Sequence, residues 1–191
     1  ELSDRTAEIR RGKRTISLVC DLGAKPLESP LARIDAAVTD AVGIRVAPEI
    51  VPRVVILARQ DLFDDFAQLL GEPEPAKLQA FYMRQYKVIA VRNLDESFHP
   101  CASGIGGFAV RLLFQEYARF VLDAALGTAP AWIEDALALR FAGYRLTGGG
   151  EVAPGSAPDD VARIVYGERY RVAKGWLPQL LDMDRSTFDT D

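Results

Sequence analysis

The strongest constraint in this chain is a helix. Residues 108–126 carry Leu112, Leu113, Phe120, Val121 and Ala124 at helical spacing, and Gly127 ends the run. Such a helix is about 28 Å long at about 1.5 Å per residue, and its apolar surface has to be covered by a sheet or by other helices. Pro130 opens a second helix that runs to residue 144 and carries Trp132, Ile133, Ala136, Leu137 and Phe141. Proline suits that place because the first turn does not use its missing N–H. The second half of the chain is therefore a helical block.

The first half follows a different period. Residues 14–21 alternate, with Ile16, Leu18 and Cys20 on one face, which predicts a strand. Ser29 caps a helix with Pro30 at its first position, Leu31, Ile34, Val38, Ala41 and Val42 at helical spacing, and Gly43 as its stop. Residues 51–58 are apolar apart from Pro52 and Arg53, the pattern of a strand covered on both faces. Asp61 starts a second helix with Leu62, Phe63, Phe66, Leu69 and Leu70, ended by Gly71. Residues 80–83 and 87–91 read as short strands around a turn at 84–86. The order β-α-β-α-β-β, then helices, predicts an α+β domain with a small mixed sheet packed on the 108–126 helix. Residues 1–13, with Arg10, Arg11 and Lys13, read as a solvated N-terminal arm. The domain proper is expected over 14–147. Residues 148–191 read as a glycine-rich linker, a short helix at 159–166 and a tail belonging to the same domain.

Composition removes several kinds of chemistry. With 191 residues, 49% hydrophobic and 26% charged, the chain can build one core. No run of about 18 uncharged apolar residues is present, so no transmembrane segment is expected. A net charge of -4 argues against a nucleic-acid partner, which needs a broad basic surface. The single histidine, His99, excludes any site that needs two imidazoles from this chain. Cys20 and Cys101 form no CxxC pattern; they read as two buried thiols, or as one disulfide closing a long loop in an oxidising compartment. The chain begins at Glu1 without a methionine, which reads as a processed or cut chain.

Two segments carry the remaining chemistry. Gln115-Glu116-Tyr117-Ala118-Arg119 lies on the first long helix, and Trp132-Ile133-Glu134-Asp135-Ala136-Leu137-Ala138 on the second. Gln115 and Arg119, four residues apart, share a helix face. This layout resembles the zincin metallopeptidases of the gluzincin branch, in particular their peptidase-MA-like domains. There an HExxH helix supplies two zinc-binding histidines and a general-base glutamate, and a Trp-x-x-Glu-Gly-x-Ala motif supplies a third, carboxylate ligand. The resemblance covers residues 14–145, and it takes the Phe81-Tyr82 strand and residues 88–91 as that family's sheet and edge strand.

The departures from the family pattern decide the expected function. Gln115 stands where the first histidine would be and Arg119 where the second would be. Glu116 keeps the place of the base. Asp135, one methylene shorter than glutamate, takes the place of the third ligand, and Ala136 replaces the following glycine. A neutral amide is a poor zinc ligand, and a guanidinium never deprotonates and so repels a cation. The zinc site is thus expected to be lost, with no cofactor in its stead. Arg119 is expected to supply the positive charge instead, pairing with Asp135 or Glu116. A buried pair of that kind would cost about 3–5 kcal/mol to break by Arg119→Ala. The plainer reading makes Gln115, Glu116 and Arg119 an ordinary polar helix face. The resemblance implies a degenerate, non-catalytic peptidase-like domain that binds a peptide or protein partner by strand addition at residues 88–91, or serves as a structural module of a longer exported protein, periplasmic or extracellular. The alternative is a hydrolase in which Glu116 acts as base, without metal or with a ligand from a partner chain.

Overall fold

The structure is a computed structural model and describes residues 5–11, 13–20, 28–43, 46–92, 108–127, 129–146 and 151–153. His99, Cys101, the linker glycines 148–150 and the helix expected at 159–166 lie outside the described residues.

The molecule is a mixed α/β structure built on a five-stranded sheet in the order β1-β2-β3-β5-β4. Strand β1 (Thr6–Arg11) runs antiparallel to β2 (Arg14–Cys20). Strands β2, β3 (Arg53–Leu57) and β5 (Val88–Arg92) are mutually parallel, and β4 (Ala80–Met83) closes the other edge antiparallel to β5. Helix α1 (Glu28–Val42) crosses from β2 to β3, and α2 (Gln60–Leu69) follows β3. Helices α3 (Phe108–Leu126) and α4 (Ala131–Ala142) come next, then a small hairpin of β6 (Arg145–Leu146) and β7 (Val152–Ala153).

The sheet divides its side chains between two cores because strand residues alternate faces. On one face Ile16, Leu18, Cys20, Val54, Ile56, Ile89 and Val91 are buried against α1 and α3, whose Leu31, Ile34, Val38, Val110, Leu113, Phe114, Tyr117 and Val121 complete the larger core. On the other face Leu57, Phe81 and Ala90 pack against Phe63 and Ala67 of α2. The i, i+3, i+4 spacing on α1 and α3 gives each helix its inward stripe. One polar pair enters the larger core: the Tyr117 hydroxyl donates to Asp35 Oδ1 at 2.7 Å, and both residues are fully buried. A buried hydroxyl and carboxylate remain there because each supplies the other's hydrogen bond.

Several sequence expectations change in detail. The stretch expected to be an N-terminal arm is instead strand β1. Thr6, Glu8 and Arg10 are exposed while Ile9 is buried against the core, so Arg10 occupies the solvent side of a half-buried strand. Helix α1 begins at Glu28, ahead of the expected cap at Ser29. Helix α4 ends at Ala142, short of residue 144, and Tyr144 leaves the helix to pack on Phe141 and Phe114 with ring centroids 4.9 and 5.8 Å apart. The expected edge strand at residues 88–91 is interior, because β5 pairs with β3 on one side and β4 on the other; its backbone groups are already spent, so no peptide can add there. Among the described residues, the outermost strand on that side of the sheet is β4. Residues just beyond the glycine run at 148–150 return as β7, which pairs with β6 and packs near α1, so they belong to the same body. Cys20 is buried on β2, and its proposed bridge partner Cys101 lies outside the described residues. No helix among the described residues is long and apolar enough to cross a membrane.

Candidate functional site

Helix α3 turns its apolar stripe to the sheet and leaves Glu116, Arg119 and Asp123 on a second stripe, at positions i, i+3 and i+7. This stripe faces the start of α4 and the β4–β5 hairpin. Helix α4 opens at Pro130, whose backbone carbonyl accepts from Ile133 and Glu134 at 3.0 and 3.2 Å. Glu134 and Asp135 consequently lie in and beside its first turn, where negative charge favours the helix dipole.

The structure brings three of the four sequence-predicted positions together. Arg119 Nη2 lies 2.5 Å from Asp135 Oδ1, and Arg119 Nε lies 3.8 Å from Glu116 Oε2. The Arg119 and Asp135 side chains are 22% and 16% exposed and that of Glu116 is 5% exposed, so the guanidinium sits largely out of water between two carboxylates. The contact to Glu116 is charge attraction rather than a hydrogen bond, because 3.8 Å exceeds hydrogen-bonding range. Gln115 is half-buried on the same helix, one turn before Arg119.

A second ionic cluster, which the sequence reading missed, continues the first. The Tyr82 hydroxyl donates to Asp123 Oδ2 at 2.6 Å, Lys87 Nζ pairs with the same oxygen, and Arg84 Nε lies 2.9 Å from Asp123 Oδ1. Arg84 also reaches Glu134 Oε1 with its Nη2. Asp123 and Glu134 are buried while the Arg84 and Lys87 stems remain partly exposed. Burial, and after it the hydrogen bond to Asp123, push the Tyr82 phenol well above its ordinary range. Lys87 holds φ at 54°, the left-handed region, and is the one non-glycine among the described residues to do so. That conformation closes the β4–β5 turn. One signal for this cluster was available in the sequence: Asp123 interrupts the apolar run Phe120-Val121-Leu122 and Ala124-Ala125-Leu126, and a carboxylate in such a place needs partners.

Zinc, which the family resemblance implies, does not fit these residues. The guanidinium of Arg119 fills the space between the Asp135 and Glu116 carboxylates, and a permanent cation there repels a metal ion. Among the described residues no group of three or more His, Cys, Asp or Glu side chains is arranged to hold a metal. What the arrangement does offer is fixed geometry. Asp135 is tied to α3 through Arg119, and Glu134 to the hairpin through Arg84, so β4, α3 and the start of α4 are fastened to one another.

Comparison of the chain with protein-family models, with curated proteins and with solved structures finds no match.

Proposed function

We propose that this chain is a non-catalytic, peptidase-like domain of zincin type, in which an ion-pair network has replaced the metal and which serves as a peptide- or protein-binding or structural module. One observation carries this reading: Arg119 and Asp135 meet at 2.5 Å. These are the positions that the motif assigns to the second and third metal ligands, and they lie on different helices. The two motif positions, sixteen residues apart in the chain, lie against each other across the α3–α4 packing. The sheet with an antiparallel edge strand above a long helix agrees with the same reading at the level of architecture, which by itself carries no function. Strand addition, the expected mode of partner binding, moves to the outer edge of β4, where the backbone is unpaired among the described residues.

The hydrolase alternative requires Glu116 to reach water and substrate. Glu116 is buried and faces Arg119, which weighs against that role. The test is the metal content of protein purified without chelator, followed by zinc titration by calorimetry. The expected result is no stoichiometric metal and no binding tighter than about millimolar. One tightly held ion per chain would overturn the proposal.

A further inference from the structure

We infer that the outer edge of β1 is an interface with a second copy of this chain, formed by antiparallel β1–β1 pairing across a two-fold axis at Ile9. The argument begins with backbone direction. Ser17 N–H donates to Pro52 O on the chain entering β3 at 3.0 Å, so the backbone polar groups of Ser17 face β3. Alternation along the strand turns those of Ile16 and Leu18 toward β1. Their register partners Ile9 and Ala7 then face β2, and the groups of Glu8 and Arg10 face outward from the sheet. Among the described residues no strand pairs with that outer edge.

Only some registers let these outward groups pair with each other in an antiparallel ladder. With Ile9 opposite its own copy, Glu8 of each chain stands opposite Arg10 of the other, and the pair occurs twice by symmetry. Both side chains are exposed and on the same face, so two opposite-charge cross-strand pairs form. The neighbouring allowed registers, shifted by two residues, put Glu8 opposite Glu8 or Arg10 opposite Arg10, and like charges directly opposite are unfavourable. The edge is therefore self-complementary in one register, which is the signature of an isologous two-fold contact. No proline, which would block pairing at a sheet edge, occurs in β1. The two five-stranded sheets would join into one continuous sheet. A single strand pair buries little surface, so the dimer is concentration-dependent rather than obligate.

Charge exchange tests this directly. Sedimentation velocity of the wild-type chain from roughly micromolar to roughly millimolar concentration should show a monomer–dimer transition. Glu8→Arg and Arg10→Glu should each weaken dimerisation on the order of tenfold or more, because each turns both attractive pairs repulsive. An equimolar mixture of the two variants should form a heterodimer, since every Arg then faces a Glu; this also shows that both variants are folded. A wild-type chain that stays monomeric throughout, single variants that dimerise as well as wild type, or a mixture that associates no better than its components would each overturn the proposal.

Discussion

A guanidinium cannot shed its charge, so an arginine taken largely out of water must keep its carboxylates close. Arg119 does so with Asp135 at 2.5 Å and Glu116 at 3.8 Å. Its 22% exposure lowers the cost of breaking the pair below that of a fully buried one. Arg119→Ala is expected to destabilise by about 2–3 kcal/mol in urea unfolding. Arg119→Ala and Asp135→Ala together should cost less than their sum, by on the order of 1 kcal/mol. A cost below about 0.5 kcal/mol for Arg119→Ala would make it an ordinary surface residue. Asp123 has more partners, because its removal leaves the Tyr82 hydroxyl without its acceptor and takes a carboxylate from the partly exposed Arg84 and Lys87; Asp123→Ala should cost about 2–3 kcal/mol. Tyr82 adds a pH dependence. The folded state holds the phenol proton more tightly than the unfolded chain does. That contribution is fully present below about pH 10 and is lost as pH rises beyond it. Urea midpoints measured from neutral to strongly alkaline pH should fall above about pH 10 in the wild type and fall less in Tyr82→Phe. Equal slopes in both would remove Tyr82 from the account.

At the scale of elements, helix boundaries follow local chemistry. Gly43, Gly71 and Gly127 take φ of 68°, 93° and 71° at the ends of α1, α2 and α3, a conformation that costs other residues energy. Gly127→Ala should therefore lower stability by about 1 kcal/mol, visible as a drop in the thermal midpoint, although a methyl group there would meet nothing within 4 Å. The α3 run, bounded by that glycine, was legible in the sequence to the residue, because periodicity and stop signal coincide. The β4–β5 turn was legible for the same kind of reason. Strand β1 was not, since only Ala7 and Ile9 are apolar in Thr6–Arg11 and the basic residues hid a two-residue alternation. The edge position was not legible either: β4 and β5 are adjacent in sequence, and only long-range pairing with β3 decides which of them is interior. Among site residues, the resemblance located Arg119 and Asp135, which the fold brings together. It offered no hint of Tyr82, Arg84 and Lys87, because their partners sit more than thirty residues away on α3 and α4.

For the molecule as a whole, the proposed function makes this a zincin-type domain in which charge pairs stand in place of the metal. On that proposal the long helix and the second helix hold the positions of the former ligands, and Arg119, paired with Asp135 across the two helices, supplies the positive charge. If so, the geometry should accept the metal again once the ligands are restored. Zinc titration by calorimetry of a Gln115→His/Arg119→His variant, beside the wild type and with folding checked by circular dichroism, tests this most directly. The variant is expected to bind zinc stoichiometrically, more tightly with Asp135→Glu added, and the wild type to bind none. A folded variant that takes up no zinc, or a wild type that binds it as tightly, would contradict the claim that Arg119 stands in a former metal site.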